Sequence, residues 1–479
     1  KRIPVENLRH KDKRANIPTE ELRGFVAEDE KKPKTILYPR DPSLDPQLVW
    51  KGKDEQDQKD LAVPAVPIYI QEKIHPQVII ENVRAKAKKE SSEEQAPLFA
   101  DFNGIKWEDL VDFYKHEQNW SNRMILGDSL MVMTSLSEKE GLKGKIQMIY
   151  LDPPYGIKFG SNWQVSTRKR DVKDRAEDAT RQPEQVKAFR DTWELGIHSY
   201  LAYLRDRLTV ARELLTESGS VFVQIGDENV HLVRGVLDEI FGSENFCAQI
   251  AFKKTVGQTS ELLAATYDYI IWYGKCRDSV KFKPLFRPRT SQENEMAYPY
   301  AEKPDGSFYR ISGKTSPSEL GKVFAAGNTT SQTGGDKSQY EYLFEGKKYR
   351  PSGASRGWTT NIEGMRRVEA AGRLLGLGNT LVYKRYANDF PFVRFTSTWE
   401  DTVQSTFAVD KIYVVQTAVK VVERCLLMTT DPGDLVLDPT CGSGTTAYID
   451  EQWGRRWITF DTSRVAIALA RTRLMSSRF

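Results

Sequence analysis

Apolar runs of strand length alternate with segments of helical spacing in two parts of the chain. The predicted strands cover residues 124–126, 146–151, 221–225, 269–273, 435–437 and 457–460. The predicted helices cover residues 199–215, 228–241, 414–428, 445–453 and 463–474, with Asp227 as the N-cap of the second. Strands that alternate with helices in this way predict an α/β fold with a parallel, doubly wound sheet.

Three stretches lack this alternation. Residues 1–60 are rich in charge and proline without a period of 2 or 3.6, which predicts an extended arm. Residues 61–80 form an apolar island broken by prolines, which predicts docking on a neighbouring surface or a partner. Residues 275–410 are rich in Gly, Ser, Thr, aromatic and basic residues. The predicted organisation is an N-terminal arm or docking segment (1–100), two halves of one α/β domain (101–274 and 411–479) and an insertion (275–410).

The bulk composition narrows the class of protein. The 479 residues are 39% hydrophobic and 28% charged, which is typical of a globular protein with two or three domains. No apolar run approaches the roughly 18 residues of a membrane span, so we expect no membrane contact and a cytoplasmic location. Four cysteines without a CxxC pair and five dispersed histidines predict neither a metal site nor disulfides. Because the chain starts at Lys1 and ends directly after a helical pattern, we expect the native protein to be longer.

Positive charge is concentrated in the insertion. Residues 275–410 contain 21 Lys and Arg against 15 Asp and Glu, an excess of +6 in a chain whose total is +4. Basic and aromatic residues are interleaved in five short runs, at residues 281–283, 286–289, 347–350, 356–358 and 384–386. Such runs suit binding to nucleic-acid phosphates and base edges, although an ordinary solvated surface has the same composition. The mixed-sign stretch 168–190 leaves two interpretations open, a loop that closes over a substrate or an exposed helix.

A glycine-containing loop joins two predicted elements near the C-terminus. Residues 435–446 read as strand, tight loop and helix start, with Asp438 at the strand end and Gly442 and Gly444 in the loop. Glycines let a backbone approach a ligand closely, and the helix start offers free N–H groups. Asp461 follows the next strand, 17 positions after Gly444, where a carboxylate can accept hydrogen bonds from ribose hydroxyls. The pattern predicts a nucleotide-like ligand; the alternative for Asp461 is an N-cap of the last helix.

The tetrapeptide Asp152-Pro153-Pro154-Tyr155 follows the strand predicted at 146–151. Two prolines cannot continue a strand ladder, so they predict a rigid corner at the carboxyl edge of the sheet; a plain turn with a capping Asp is the alternative. The corner suits methyl transfer to an exocyclic amino group, whose lone pair is delocalised into the base ring. Asp152 and the carbonyl of Pro153 can each accept one N–H and stabilise the positive charge that develops on nitrogen. Tyr155 can stack on a base that has been flipped out of its helix.

These residues together resemble the amino-methyltransferases of DNA, in the β arrangement where the catalytic motif precedes the target-recognition domain and the cofactor loop comes last. The nearest group is the modification subunits of type III-like restriction-modification systems, and the resemblance includes Gly127-Asp128-Ser129 and residues 221–246. It implies a Rossmann-like fold of permuted order that uses S-adenosylmethionine (SAM) to methylate N6 of a flipped adenine in DNA. Residues 101–274 would be its catalytic half, 275–410 its target-recognition domain and 411–479 its SAM-binding half.

The resemblance also implies roles at the cofactor site. It places Asp438, Gly442 and Gly444 along the methionine part of SAM with Thr440 in the same loop, Asp461 at the ribose, and Asp128 near the adenine ring. The chain departs from the family pattern at two positions. Thr440 stands where the family usually has Phe, and the helix before the loop opens with Gln416-Thr417-Ala418 rather than Gln-Lys-Pro.

The sequence is also compatible with three other functions. Cytosine-N4 methylation uses the same kind of amino group, although those enzymes more often carry Ser at the position of Asp152. RNA methylation shares the tetrapeptide, but the permuted order and the insertion favour DNA. A non-catalytic SAM-binding scaffold could recognise DNA for a nuclease or helicase partner, but the intact tetrapeptide and Asp461 argue against it. The expected partners are double-stranded DNA, a restriction or helicase subunit and a second copy of the chain, in a restriction-modification or related defence system.

Overall fold

The computed structural model describes residues 35–38, 48–65, 70–74, 121–153, 196–255, 263–311, 321–332, 334, 338–351, 356–403 and 417–477. Its strands are β1 (Thr35–Tyr38), β2 (Leu61–Pro64), β3 (Ile70–Ile74), β4 (Asn122–Leu126), β5 (Ile146–Leu151), β6 (Leu215–Gly226), β7 (Phe246–Lys253), β8 (Tyr267–Gly274), β9 (Phe286–Pro288), β10 (Tyr300–Glu302), β11 (Phe308–Arg310), β12 (Lys322–Asn328), β13 (Thr330–Ser331), β14 (Tyr342–Phe344), β15 (Lys347–Tyr349), β16 (Gly357–Trp358), β17 (Leu374–Leu377), β18 (Thr380–Tyr386), β19 (Phe392–Arg394), β20 (Thr398–Trp399), β21 (Leu435–Asp438) and β22 (Arg456–Asp461). Its helices are α1 (Lys53–Asp57), α2 (Ser129–Glu138), α3 (Ile197–Leu214), α4 (Val230–Phe241), α5 (Ser291–Ala297), α6 (Ile362–Ala370), α7 (Val419–Thr429), α8 (Thr445–Gln452) and α9 (Arg464–Ser476). Within these ranges no helix has the length and apolarity needed to cross a membrane. The stretch 168–190 lies outside the described residues.

The chain folds as two compact units. The sheet unit comprises the described residues up to Leu285 and from Thr396 onward, and the inserted unit spans Phe286–Phe395. The two α/β segments of the sequence therefore belong to one unit. The inserted unit lies within the range 275–410 that the sequence pattern set apart.

A nine-stranded sheet forms the centre of the sheet unit, in the order β20-β7-β8-β6-β5-β21-β22-β4-β3. The neighbours β6, β5, β21, β22 and β4 are parallel. β5 and β21 are buried along their whole length, as expected of strands covered on both faces. The parallel sheet predicted from the sequence is thus correct for these five strands and wrong for β8, which pairs antiparallel with β6. At the edge of the sheet β20 adds a further parallel pair with β7. β7 and β8, like β3 and β4, follow each other in the chain and pair antiparallel, which needs no helical crossover.

Helices cover both faces of this sheet. Successive residues of a strand point to opposite faces. Ile125 of β4 packs in the main core with side chains of α2, α3 and α4, whereas the adjacent Met124 packs with Trp457, Ala470 and neighbouring side chains of α8 and α9. The doubly wound α/β architecture predicted from the sequence is confirmed.

The helix expected after β6 begins later than predicted. α4 starts at Val230 with Asn229 at its N-cap position, so the prediction of Asp227 as the N-cap is wrong. Residues 227–229 form a turn instead, and the Asp227 carboxylate accepts a hydrogen bond from the hydroxyl of Tyr269 in β8. A partner on a neighbouring strand therefore outweighs the local capping preference of Asp.

The described N-terminal residues are folded onto the sheet unit. β1 pairs with β2, and β3 extends the sheet beyond β4. Trp50 and Val63 are buried in the main core. Lys53 of α1 forms an ion pair with Glu239 at 2.8 Å, and Glu239 also pairs with Arg205 at 2.7 Å. Residues 35–38 and 48–60 are therefore not part of the extended arm that the sequence pattern predicted for residues 1–60. Short strands and helices and paired charges leave no periodic signal in the sequence.

The inserted unit is built around an antiparallel sheet of order β11-β10-β12-β18-β17. Three further antiparallel pairs join β13 to β16, β14 to β15 and β9 to β19. The main core of the unit is largely aromatic and consists of Tyr342, Phe344, Tyr349, Trp358, Met365, Leu374 and Leu381. Because β9 and β19 are the first and last strands of the unit, its two ends are hydrogen-bonded to each other.

Candidate active site

Four acidic residues stand at the ends of four adjacent parallel strands. The strands β5, β21, β22 and β4 are neighbours in that order, and they lead to Asp152, Asp438, Asp461 and Asp128. The pairing of Leu437 with Ile149, and of Asp461 with Leu126, brings these ends to one edge of the sheet. Ligands of open α/β sheets bind outside the carboxyl ends of the strands, so this edge is the candidate site.

A hydrogen bond joins the tetrapeptide to the glycine loop. The backbone N–H of Asp152 donates to Oγ1 of Thr440 at 2.8 Å, across 288 positions of sequence. The backbone N–H of Thr440 donates to Oδ1 of Asp438 at 2.9 Å, and Thr440 Oγ1 lies 3.3 Å from the same oxygen. Two of the predicted segments are therefore in direct contact.

The carboxylate of Asp152 has a second threonine partner. Thr417, just before α7, donates from Oγ1 to Asp152 Oδ2 at 3.0 Å. The same hydroxyl lies 3.0 Å from Oε1 of Gln224, a buried residue of β6 that also accepts a hydrogen bond from the Tyr150 hydroxyl at 2.6 Å. Sequence reasoning assigned no site role to these three partners. The available signal was a polar side chain, Gln224 or Tyr150, inside an otherwise apolar strand.

Burial makes the carboxylates of this edge difficult to ionise. It raises the pKa of Asp152 to about 7; the hydrogen bond from Thr417 opposes the increase, and the nearby Asp438 adds to it. Burial also raises the pKa of Asp438 to about 6. The pKa of Asp461 is raised by burial even though backbone N–H groups donate to it. Three such carboxylates at one edge favour a ligand that carries positive charge.

The loop after β21 is shaped by two glycines and by Asp461. Gly442 and Gly444 have φ values of +50° and +70°, which favour glycine. A Cβ on Gly444 would lie 2.7 Å from the Cβ of Ala470, so α9 packs directly on the loop. Asp461 accepts the N–H of Gly442 at 3.0 Å through Oδ2 and the N–H of Ser463 at 2.8 Å through Oδ1. Ser463, and not Asp461, is the N-cap of α9.

Comparison with known sequences assigns the chain to a family. A sequence model of the family described as DNA methylase matches residues 146–472. The chain belongs to this DNA methylase family. The resemblance that the motifs suggested is therefore confirmed.

Several named proteins are similar in sequence to this chain at low identity. The chain is 28% identical to the type II methyltransferase M.EcaI of Enterobacter cloacae over 354 residues, which are 72% of this chain and 66% of that protein. It is 21% identical to the probable type III restriction-modification enzyme HindVI Mod subunit of Haemophilus influenzae over 413 residues, with coverage of 74% and 50%. It is 28% identical to the EcoP15I Mod subunit of Escherichia coli over 179 residues, with coverage of 36% and 28%. The chain thus spans between about a quarter and two thirds of the length of these relatives.

Asp128 has structural contacts at the same edge. Its Oδ1 accepts the N–H of Leu130 at 3.0 Å and so caps α2. Its Oδ2 pairs with Arg207 at 2.5 Å, and the guanidinium of Arg207 lies 3.4 Å from the centre of the Tyr203 ring. Asp128 therefore stands beside the other predicted residues with both carboxylate oxygens already engaged within the protein.

The remaining predicted residues divide between the described and undescribed parts of the chain. Pro153 is buried directly after Asp152, whereas Pro154 and Tyr155 lie outside the described residues. Within the described part, no three His, Cys, Asp or Glu residues are grouped so that they could hold a metal ion. The four cysteines are free thiols. Besides carboxylates, hydroxyls and backbone N–H and C=O groups, the described site contains the carboxamide of Gln224 and the guanidinium of Arg207.

Proposed function

We propose that the methylase transfers a methyl group from SAM to the exocyclic N6 of an adenine flipped out of duplex DNA. The observation that carries the proposal is the hydrogen bond between the Asp152 backbone and Thr440, because it joins the acceptor corner to the glycine loop. An amino group held at the corner and a methyl donor held by the loop would meet at one edge of the sheet, which is what proximity catalysis requires.

The residues of this edge fit SAM as the cofactor. Gly442 and Gly444 let the loop backbone approach a ligand closely. Each Asp461 oxygen that accepts a backbone N–H keeps a second lone pair for a ribose hydroxyl. The buried carboxylate of Asp438 favours the positive charges of the methionine part, and Asp128 would lie on the side of the adenine ring. When bound, SAM supplies an electrophilic methyl group.

Asp152 and Pro153 act on the amino group. Their carboxylate and carbonyl oxygens each accept one amino N–H, which favours a pyramidal nitrogen and stabilises its developing positive charge. In this transfer the nitrogen lone pair would form the new N–C bond as the methyl–sulfur bond breaks, and the thioether S-adenosylhomocysteine would leave. With a pKa raised to about 7, the Asp152 carboxylate could take up the proton that the methylated nitrogen then loses. Pro154 would complete the rigid corner and Tyr155 would stack on the flipped base.

A methyl-transfer assay tests the reaction and the base. Duplex DNA incubated with methyl-labelled SAM, digested and analysed by mass spectrometry should contain labelled N6-methyladenine with the wild-type protein and none with Asp152→Ala. Asp434→Asn is the matched control and should keep activity, since Asp434 pairs with Lys281 at the amino end of β21. Labelled N4-methylcytosine would overturn the adenine assignment. Tight DNA binding by a wild-type protein that transfers no methyl group would favour a non-catalytic scaffold.

The inserted unit is the proposed target-recognition domain, but only part of its basic sequence is available to DNA. Lys384 is buried and pairs with Glu302 at 2.7 Å, and Trp358 belongs to the core of the unit. Lys281 belongs to the sheet unit, where it pairs with Asp434 at 2.5 Å. These residues were predicted within nucleic-acid-binding runs, and their partners indicate structural roles instead.

The run 347–350 is the accessible part that best fits a phosphate-binding surface. Lys347, Lys348 and Arg350 are exposed around β15. Glu341 pairs with Lys348 at 2.8 Å and with Arg350 at 2.7 Å, and such exposed pairs are weak enough to exchange for phosphate contacts. We take duplex DNA as the substrate and, from the likeness to type III Mod subunits, a restriction subunit as a protein partner.

A further inference from the structure

Two threonine hydroxyls from separate segments contact Asp152 within the described part of the chain. Thr440 accepts its backbone N–H, and Thr417 donates to its carboxylate. Neither threonine lies in the tetrapeptide. We propose that both are positioning residues for Asp152: Thr417 controls when the carboxylate takes up and releases a proton, and Thr440 holds the Asp152 backbone against the glycine loop. This inference rests on the proposed methyl transfer.

Thr417 has one hydroxyl proton and two acceptors within reach. Asp152 Oδ2 and Gln224 Oε1 each lie 3.0 Å from its Oγ1, and a hydroxyl donates to one acceptor at a time. The Tyr150 hydroxyl donates to Gln224 Oε1 at 2.6 Å, so Gln224 has a donor whichever way Thr417 turns. Thr417 is therefore free to follow the protonation state of Asp152.

The two states use the same hydroxyl in opposite directions. When Asp152 is ionised, Thr417 donates to its carboxylate. When Asp152 is protonated, its O–H can donate to Thr417, whose own proton then turns to Gln224. In both states Asp152 Oδ2, the Thr417 hydroxyl and Gln224 Oε1 each keep a hydrogen-bond partner, which avoids the desolvation cost of an unmade hydrogen bond at these atoms. Proton uptake at Asp152 thus requires only the rotation of one hydroxyl.

The other groups around Asp152 act through charge and not through this hydroxyl. They are Asp438 of β21, Asp268 of β8 and Lys254 after β7. Tyr200 of α3 also lies near Asp152, but burial raises the pKa of its phenol, and the Asp152 carboxylate adds to this, so Tyr200 stays neutral. Lys254 and Asp268 pair at 2.9 Å, so their opposite effects on Asp152 partly cancel. The hydrogen bond from Thr417 favours the ionised form and opposes the effect of burial. Loss of this hydroxyl should therefore raise the pKa of Asp152.

Thr440 links Asp152 to a fixed point on the neighbouring strand. Its Oγ1 accepts the Asp152 N–H at 2.8 Å and lies 3.3 Å from Asp438 Oδ1, to which it can donate. Asp438 is the buried last residue of β21. Loss of the hydroxyl would release the tetrapeptide from the loop, and a small displacement of reacting groups is sufficient to slow a positioned reaction.

Single-turnover methylation of duplex DNA at saturating SAM, followed over about pH 5 to 9, separates the two roles. The wild-type rate should rise with pH as Asp152 ionises. Thr417→Val should move the midpoint of this rise upward by about one pH unit, and Thr417→Ser should restore it. Thr440→Val should lower the rate about tenfold or more at every pH without moving the midpoint, and Thr440→Ser should restore the rate.

Two results would overturn the assignment. A Thr417→Val profile with the wild-type midpoint would remove proton control from Thr417. A Thr440→Val protein that binds SAM more weakly but reacts at the wild-type rate when saturated would make Thr440 a cofactor residue only.

A measurement without substrate keeps the inference separate from the proposed function. The melting-temperature difference between a protein and its Asp152→Asn counterpart, followed against pH, reports proton uptake by Asp152. In the Thr417→Val background, this melting-temperature difference should appear at a higher pH than in the wild-type background. Such a shift supports the role of Thr417 even if the wild-type protein methylates no DNA and the proposed function fails. No shift would count against the role of Thr417 whatever the activity.

Discussion

Oδ2 of Asp461 lies 3.0 Å from the backbone nitrogen of Gly442, so the end of β22 holds the loop that follows β21. The other oxygen of Asp461 accepts the N–H of Ser463, which starts α9. One carboxylate therefore connects two strand ends and a helix start. Because these contacts are made within the protein, the loop is preorganised for its proposed cofactor.

Gly444→Ala should abolish tight SAM binding. An added Cβ would lie 2.7 Å from the Cβ and 3.1 Å from the Cα of Ala470, at a residue with φ of +70°. Backbone strain and overpacking together should cost roughly 2–5 kcal/mol. Gly378→Ala is the matched control, since Gly378 has φ of +58° with nothing within 4 Å of an added Cβ. Calorimetric titration with SAM should show lost affinity in the first variant and wild-type affinity in the second; equal affinities would contradict the role of the loop.

Asp152→Asn should abolish the proposed methyl transfer and yet raise the melting temperature of the protein at about pH 8. Burial raises the pKa of Asp152 from 3.8 to about 7, so the folded state binds the proton more tightly than the unfolded chain. Stability therefore falls as the pH rises between these values, and Asn removes this loss. The gain in melting temperature should be small near about pH 4 and complete above about pH 7. Each kcal/mol gained in the free energy of unfolding should raise the melting temperature by roughly 2–4 °C. Calorimetry over a pH series checks this, and a gain that does not vary with pH would refute the raised pKa.

Glu239→Gln should lower the free energy of unfolding by about 3–5 kcal/mol. The buried Glu239 carboxylate pairs with Lys53 and Arg205, and its loss leaves buried positive charge undercompensated. Lys143→Gln removes an exposed pair with Glu213 and should cost less than about 1 kcal/mol. Urea unfolding compares the two variants. If both variants lose equally little free energy of unfolding, the ion pairs of Glu239 with Lys53 and Arg205 do not hold the N-terminal residues in place.

The double variant Lys348→Gln, Arg350→Gln should weaken DNA binding and reduce its dependence on salt. The two side chains are 72% and 74% exposed, and each phosphate contact that is lost should reduce the slope of log K against log salt by about 1. Fluorescence anisotropy with a labelled duplex over a salt series measures the slope. Lys143→Gln is the control for lost positive charge. Lys143 precedes the amino end of β5, whereas the candidate site lies at the carboxyl ends of the strands, so this variant should leave the slope unchanged. An unchanged slope in the double variant would exclude this run from the interface.

The parts of the site that lie at strand ends were predictable from the sequence. Buried parallel strands are continuous apolar runs with sharp ends, so the strand Ile146–Leu151 has the predicted bounds. The next two strands end at Asp438 and Asp461, where the acidic residues were expected. Parallel strands share an edge, which is why residues so far apart in the chain could be predicted to meet.

The parts that depend on distant partners could not be predicted. Thr417 stood out only as a departure from a family pattern, and Thr440 was predicted as a residue of the cofactor loop and not as a partner of Asp152. A single hydroxyl has no periodic signal, and Asp152 is 265 positions from Thr417 and 288 positions from Thr440. Lys384 was placed in a nucleic-acid-binding run, but its ammonium group is paired with Glu302, 82 positions earlier. In each case a tertiary contact decided a role that local composition left open.

The pairing of β9 with β19 fixes the two ends of the inserted unit. Through three paired residues on each side, it keeps the two ends of the inserted unit about 5 Å apart, whatever is folded between them. Residues between these two strands can therefore be inserted, deleted or replaced while the segments on either side of the inserted unit stay the same distance apart. A lineage of such proteins could exchange its proposed target-recognition domain in this way and keep the residues of the sheet edge unchanged.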